Sequence, residues 1–210
     1  MKNKKVIQFK DITIESIQDA LSKLNFKNKK GNIESYLKSY PEFIEYFNSK
    51  KKLTKHDVVI GSHFVYGWMP TILELNFDKI ETVLPILNDA KKGRLLEEDE
   101  LAKLQSCFNN SLVGTSKLLH FINPNLYAIW DSVVFRYLTD EEPYDYRIND
   151  YSAYLKYLDL CRELCRKPLF KTIKEGLEAK IDSKVSDMRA IEMIMYETKR
   201  QIKNEGPPVF

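Results

Sequence analysis

The spacing of apolar residues constrains the fold of this chain more than any other feature. Apolar side chains recur at intervals of three and four almost throughout, as at Ile17, Leu21 and Leu24. This period matches the α-helix, whereas a half-buried strand would alternate at every second residue. We find no alternating segment that indicates a strand. The pattern therefore predicts an all-α fold of about nine or ten helices.

Short polar connectors and prolines separate the predicted helices. Proline removes a backbone donor and clashes with the preceding turn, so we expect Pro41 to divide two short helices and Pro85 to kink or split another. Residues 140–150 form the longest stretch without a helical period, which is typical of an exposed loop. The helices around the centre of the chain are predicted over Leu112 to Ile122, Ser132 to Thr139 and Tyr151 to Cys165.

The length of the chain is suited to one domain. A chain of 210 residues can bury enough apolar surface to fold alone. Because no repeat or long linker interrupts it, we predict a single helical domain over residues 1–210. An alternative division has two lobes that share a core, with N-terminal helices over 1–110 and a C-terminal group over 111–210.

Charge is nearly balanced overall but uneven along the chain. The net charge is +3, yet the first 55 residues carry 13 lysines against 6 Asp or Glu, a local balance of +7. A one-sided basic lobe would attract nucleic-acid phosphates. A solvated lysine-rich surface explains the same count, and the count leaves both interpretations open.

The sequence favours a cytoplasmic protein without a membrane span. Lys10 and Asp11 interrupt the first apolar residues, so no signal-peptide core develops, and no apolar run reaches membrane-spanning length. Three cysteines form no even disulfide framework, which favours reduced thiols. Cys161 and Cys165 lie one helical turn apart, but the three histidines are scattered, so we expect no metal site.

One lysine stands in an otherwise apolar predicted helix. Lys117 lies beside Val113 and Phe121 rather than among other charges. Burial of an ammonium lowers its pKa from the usual value of about 10.4. A lysine made neutral in this way is a nucleophile for an electrophilic carbon.

An aspartate follows this helix after a turn. Pro124 disfavours helical geometry at the residue before it, so the chain is expected to turn and to return through residues 126–130. This path would bring Asp131 towards the helix of Lys117, with its carboxylate at the positive end of the next helix. A simpler interpretation makes Asp131 or Ser132 a helix cap and lets Lys117 extend its amine to solvent.

Two stretches around these residues carry a resemblance to a known family. Gly114-Thr-Ser-Lys117 and Ile129-Trp-Asp-Ser-Val-Val-Phe-Arg136 are similar to motifs of the helix-hairpin-helix DNA glycosylase superfamily, and within it to the bacterial group that resembles 8-oxoguanine DNA glycosylase. The superfamily has a hairpin with a lysine, a helix, and a segment whose aspartate is essential. The resemblance implies a helix-hairpin-helix-like centre in the all-α fold.

The resemblance also implies a reaction and a partner. Lys117 would be the Schiff-base nucleophile and Asp131 the catalytic carboxylate of a DNA base-excision glycosylase, with or without lyase activity. An alignment without a gap on Gly114-Thr places Ser116 at the lysine position instead. The implied substrate is double-stranded DNA with an oxidised or otherwise modified purine, which must be flipped out of the stack. The implied chemistry needs no metal or organic cofactor.

Further candidates for contacts with DNA or with the extruded base surround the two motifs. Tyr66 and Trp68 would form a wall or wedge at a helix end, although a packed tryptophan explains the same residues. His120 lies one turn from Lys117 and is either a pocket residue or a hydrogen-bonded core histidine. Arg136 would bind a phosphate or pair with the acidic loop that follows. The complete set of predicted DNA- or base-binding residues is Gly114, Ser116, His120, Trp68, Tyr66, Trp130 and Arg136.

Two other classes of protein fit the same sequence. A noncatalytic helical DNA-binding or defence-associated protein would keep the fold without the reaction. A helical interaction protein would use Lys117 and Asp131 as a buried structural ion pair.

Overall fold

The fold is all-α, as the apolar period predicts. A computed structural model describes residues 6–26, 32–68 and 71–203. These residues form eleven α-helices, and a 3-10 helix at Phe77–Lys79 precedes the fourth. The helices are α1 (Ile14–Lys23), α2 (Asn32–Asn48), α3 (Lys55–Trp68), α4 (Ile80–Lys91), α5 (Glu98–Cys107), α6 (Leu112–Ile122), α7 (Ser132–Thr139), α8 (Asp145–Ile148), α9 (Tyr151–Cys165), α10 (Phe170–Ile181) and α11 (Asp187–Lys203).

Helix α6 lies at the centre of the first group of helices. It packs against α2, α3, α4 and α5, and ten of its eleven residues are buried. Its first turn is capped by Ser111, whose hydroxyl accepts a hydrogen bond from the Gly114 amide at 3.1 Å. Helix α6 therefore places its side chains in the interior whichever way they point, Lys117 included.

The expected division at Pro41 is wrong, and the helix that contains Pro85 is not split. Helix α2 continues through Pro41, and α4 continues through Pro85. A proline deletes one hydrogen bond of the helix, but the buried Tyr40 and Phe47 anchor α2 on both sides of Pro41. Tertiary packing therefore holds a helix that local preference would divide.

A tight hairpin joins α5 to α6. Asn109 and Asn110 adopt left-handed backbone conformations with φ of 54° and 50°, which asparagine tolerates better than most residues. The Asn109 side chain accepts a hydrogen bond from the Glu74 amide at 2.7 Å and donates one to the Ile72 carbonyl at 2.9 Å. The turn between α5 and α6 is thus held by the side chain of Asn109, which binds the segment of Ile72 and Glu74.

The second group of helices is organised around α11. This helix packs against α1, α7, α9 and α10, so the first helix of the chain lies on the last ones. A single cluster of buried apolar side chains includes residues from both halves of the chain. The predicted exposed loop at 140–150 contains the short helix α8, and Trp130 donates a hydrogen bond to the Ile148 carbonyl at 2.8 Å.

No helix within the described ranges is both long enough and apolar enough to cross a membrane. Cys107, Cys161 and Cys165 all carry free thiols.

Gly114 has a packing role that can be tested. A Cβ atom at this position would lie 2.0 Å from the Tyr66 hydroxyl oxygen, so Gly114→Ala should lower the free energy of unfolding by about 1–3 kcal/mol through overpacking. Gly67→Ala is the matched control, because a Cβ atom there meets nothing within 4 Å. Chemical denaturation of both variants measures the difference, and equal stability of the two would contradict this account of Gly114.

Candidate active site

A pocket of about 650 Å³, measured to its open mouth, lies where the two groups of helices meet. Its walls come from α2, the end of α3, α6, the segment 129–131, α10 and α11. Aromatic side chains from Phe26, Tyr36, Trp68 and Tyr196 contribute to the lining. The charged groups of the lining are Lys117, Asp131, Arg189, Glu192, Glu197 and Arg200. The pocket therefore combines apolar walls with both signs of charge.

Lys117 lines the pocket from the middle of α6. Only 3% of its surface is exposed, and this burial lowers the pKa of its amine from the ordinary value. The carboxylates of Asp131 and Glu192 oppose the shift, whereas the nearby Arg189 adds to it. The interpretation in which Lys117 extends to solvent is therefore wrong, because the amine is held inside the protein. At a given pH, a larger fraction of the Lys117 amine is therefore neutral than in an exposed lysine.

Asp131 reaches the same pocket from the start of α7. Its Oδ1 atom accepts hydrogen bonds from the amides of Val133 and Val134, both at 2.9 Å, so it is the N-cap of the helix. A carboxylate in this position is held in place and is favoured by the positive end of the helix. The capping bonds use Oδ1, while the Asp131 charge acts on Lys117 across the pocket. Capping and a role beside Lys117 are thus compatible in one residue.

Helix α11 supplies the charged residues that the sequence analysis missed. Glu192 is 1% exposed and accepts a hydrogen bond from Arg189 one turn before it. Burial raises the pKa of Glu192 to about 7, with Arg189 opposing the shift and Asp131 adding to it. Glu197 and Arg200 form a second pair further along the same face, at 3.0 Å. The sequence did contain a signal for two of these residues, because Arg189 and Glu192 are charges at helical spacing within the apolar run 188–195.

Trp68 is the predicted aromatic that lines the pocket. Its ring packs edge-to-face on Tyr36 and Phe121, with centroids 5.2 and 5.3 Å apart, and the Arg189 guanidinium lies 5.9 Å from its centroid. Within the described ranges, two buried side-chain nitrogens have no hydrogen-bond partner: Trp68 Nε1 and Arg189 Nε. Both residues belong to the pocket lining, so two unsatisfied buried nitrogens lie in its wall.

Ser116 does not share the position of Lys117. Its hydroxyl donates to the carbonyl of Trp130 at 3.1 Å and accepts from the amide of Trp130 at 3.0 Å. These bonds tie α6 to the segment that leads to Asp131, and Ser116 is absent from the pocket lining. The structure therefore presents Lys117, and not Ser116, to the pocket.

Gly114 and Tyr66 pack on each other away from the pocket. The Gly114 amide donates to the Ser111 hydroxyl, and the Leu112 amide donates to Asn149 Oδ1 at 3.0 Å. These amides at the start of α6 are therefore engaged inside the protein and are not available to a DNA phosphate. Tyr66 is buried and donates to the Phe108 carbonyl at 3.3 Å, so it forms neither a wall nor a wedge in this conformation.

His120 is a satisfied core histidine. It is fully buried, with Nδ1 at 2.6 Å from the Tyr127 carbonyl and Nε2 at 2.9 Å from the Tyr40 hydroxyl. Burial lowers its pKa to about 3, so the ring is neutral, and Nδ1 donates while Nε2 accepts. His120 consequently fixes the turn after α6 and is not part of the pocket lining.

Trp130 and Arg136 also have internal partners. Trp130 is fully buried and packs on Phe135 and Tyr157, so it cannot contact DNA from this position. Arg136 forms an ion pair with Glu142 at 3.1 Å. The sequence allowed Arg136 either to bind a phosphate or to pair with the acidic loop, and the structure shows the ion pair with the loop.

Comparisons with known proteins identify no relative of this chain. No family model matches the chain, no curated protein matches it, and no solved structure resembles it significantly. Within the part of the chain that the structure describes, no group of three or more His, Cys, Asp or Glu side chains could hold a metal ion.

Proposed function

We propose that the protein is a DNA base-excision glycosylase with lyase activity that acts on an oxidised or otherwise modified purine. One observation carries the proposal: Lys117, a buried lysine, and Asp131, the aspartate that caps α7, line the same open pocket. The lowered pKa of Lys117 favours the amine that a Schiff-base mechanism requires. The resemblance of the two sequence motifs to the helix-hairpin-helix glycosylases agrees with this assignment.

The lining of the pocket suits an extruded base. Aromatic rings such as those of Trp68 and Tyr36 offer faces and edges for stacking. The local excess of positive charge in the first 55 residues would favour approach of a DNA backbone.

The proposed reaction begins with the neutral amine of Lys117. Its Nζ atom forms a bond to the sugar C1′ while the bond from C1′ to the base breaks, and the base leaves with that electron pair and gains a proton. The amine then loses a proton, the sugar ring opens with its oxygen protonated, and a protonated Schiff base remains. Asp131 stabilises the positive charge that develops on the sugar and then on the imine. Loss of a C2′ proton and departure of the 3′-phosphate would cleave the strand.

Borohydride trapping tests this function. Duplexes with a single abasic site or a single oxidised purine are incubated with the protein and reduced with sodium borohydride. We expect a covalent protein–DNA adduct with the wild type and none with Lys117→Ala. Lys91→Ala is the control, because burial also lowers the pKa of Lys91, but its amine donates to the Phe47 carbonyl at 2.7 Å outside the pocket. This variant should form the adduct as the wild type does.

The alternatives predict different results. A noncatalytic DNA-binding protein would bind the duplexes and form no adduct. A structural ion pair would make Lys117→Ala change the thermal stability, with neither binding nor adduct in the wild type. An adduct that persists in Lys117→Ala would assign the nucleophile to another residue.

A further inference from the structure

Glu192 is a carboxyl group of the pocket that acts directly on Lys117, and the proposed reaction leaves it without a role. It comes from α11, whereas Lys117 comes from α6 and Asp131 precedes α7. Three elements distant in the sequence thus place an amine and two carboxyl groups around one cavity. Glu192 is almost completely excluded from solvent, so any proton it exchanges passes to a group inside the pocket.

We infer that Glu192 is the acid–base partner of Lys117, which takes a proton from the amine and delivers it to the oxygen or base that leaves. The inference rests on the proposed function and adds a catalytic residue to it. Arg189 is a positioning residue in this scheme, because its hydrogen bond to Glu192 holds the carboxyl group. Asp131 keeps its proposed role as the stabiliser of positive charge.

The surroundings of Glu192 favour exchange with Lys117. The charged groups that act on it are Arg189, Asp131 and Lys117. The neutral groups that share its environment are Tyr40 on α2, Tyr157 and Cys161 on α9, and Tyr196 on α11. Burial raises the pKa of each of these phenols and of the thiol, so they keep their protons at neutral pH. Among these charged groups, an arginine does not deprotonate, so Lys117 and Asp131 can exchange a proton with Glu192, and Lys117 is the one that carries protons to give.

The protonation equilibrium of Glu192 suits this role. Its pKa is about 7, raised by burial, and a general acid or base is most effective when its pKa lies near the working pH. The same burial lowers the pKa of Lys117, so the two values move towards each other. A state with a neutral amine and a protonated carboxyl group is therefore more accessible here than for an exposed pair.

With an abasic site, the reaction starts at the aldehyde carbon C1′. Lys117 Nζ bonds to C1′, and the carbonyl oxygen takes the proton of Glu192. The Glu192 carboxylate then takes a proton from the nitrogen and gives it to the hydroxyl group, which leaves as water as the carbon–nitrogen double bond forms. The products are a protonated imine, water and a Glu192 carboxylate. With an intact nucleotide, the first proton goes to the departing base instead.

A comparison of pH profiles tests the inference. The rate of borohydride trapping on an abasic-site duplex is measured between about pH 5 and 9 for wild type, Glu192→Gln and Glu178→Gln. We expect the wild-type rate to fall as pH rises above about 7, where Glu192 loses its proton. Glu192→Gln should be about a hundredfold slower near neutrality and should lack this falling limb. Glu178→Gln should match the wild type, because Glu178 is a buried glutamate paired with Lys184 outside the pocket.

The outcomes separate the inference from the function on which it rests. No wild-type adduct at any pH rejects the lyase and with it the role of Glu192. A wild type that forms the adduct while Glu192→Gln keeps the same rate or the same falling limb overturns the inference alone. If Glu192→Gln does not fold, Glu192→Asp decides. This variant keeps a carboxyl group at a shorter reach, so we expect a slower rate with the limb retained, and an unchanged rate would overturn the inference.

Discussion

Replacement of Asp131 by asparagine is expected to slow adduct formation at Lys117 by about a hundred- to a thousandfold while the fold stays intact. The reason is that Asp131 caps α7 and, in the proposed reaction, also stabilises positive charge, and the two roles are separable. As the N-cap of α7, its Oδ1 atom accepts two backbone hydrogen bonds, and asparagine caps helices about as well as aspartate. Only the negative charge is lost, and with it the stabilisation of positive charge on the sugar and the imine.

Two variants complete this experiment. Asp131→Ala removes both the cap and the charge, so it should lose about 1 kcal/mol of unfolding free energy in addition to the rate. Asp150→Asn makes the same chemical change at the N-cap of α9, where Oδ1 accepts from the Ala153 amide at 3.0 Å, and it should leave the trapping rate unchanged. Trapping at the wild-type rate by Asp131→Asn would mean that the carboxylate is a helix cap and nothing more.

The sequence predicts the central helices well because their ends are marked locally. The predicted bounds of α6, α7 and α9 agree with the structure, and each begins after a side chain that accepts a backbone hydrogen bond: Ser111, Asp131 and Asp150. The prediction failed at Pro41, where packing of neighbouring residues outweighs a local cost. A cap is a property of a few adjacent residues, whereas that packing depends on helices distant in the chain.

The same distinction applies to the pocket. Lys117 and Asp131 lie 14 positions apart, with one turn between them, so their approach could be predicted from that turn. Arg189 and Glu192 reach the pocket only because α11 packs against α7 and α9, which no local pattern indicates. His120 and Trp130 lie beside Lys117 and Asp131 in the sequence, yet their polar atoms bind the Tyr127 and Ile148 carbonyls. The sequence analysis therefore assigned too many neighbours of Lys117 and Asp131 to the site, because they are close in the sequence. It omitted α11, which supplies Arg189 and Glu192 to the pocket.

A second large effect is expected for Arg189→Met, whose loss of unfolding free energy should be about 1–1.5 kcal/mol larger at about pH 8 than at about pH 5. Arg189 is the cation bonded to the buried carboxyl group of Glu192, and its side chain is only 14% exposed. Methionine fills much of the same volume and retains contact with the rings of Tyr40 and Trp68, which the guanidinium approaches at 5.7 and 5.9 Å. The additional loss at the higher pH is therefore attributed to the Glu192 carboxylate, which loses its counterion and must take up a proton in the folded variant.

The unfolding free energy that Arg189→Met loses should depend on pH. In the folded wild type, the pKa of Glu192 is about 7, above its ordinary value of 4.5, so the folded state binds this proton more tightly than the unfolded state. The contribution of Glu192 to stability is then fully present below the unfolded value and is lost as pH rises through about 7. Because Arg189 opposes the upward shift, its removal raises the pKa further. The variant should therefore differ least from the wild type at about pH 5, where Glu192 is mostly protonated in both.

The double variant Arg189→Met/Glu192→Gln isolates the charge. With no carboxylate left to bury, it should recover most of the stability lost at about pH 8 and show a flatter pH dependence than the single variant. Urea denaturation at the two pH values measures all three proteins. An equal loss for Arg189→Met at both pH values, with no recovery in the double variant, would show that Arg189 stabilises the protein through contacts with the aromatic rings rather than through Glu192.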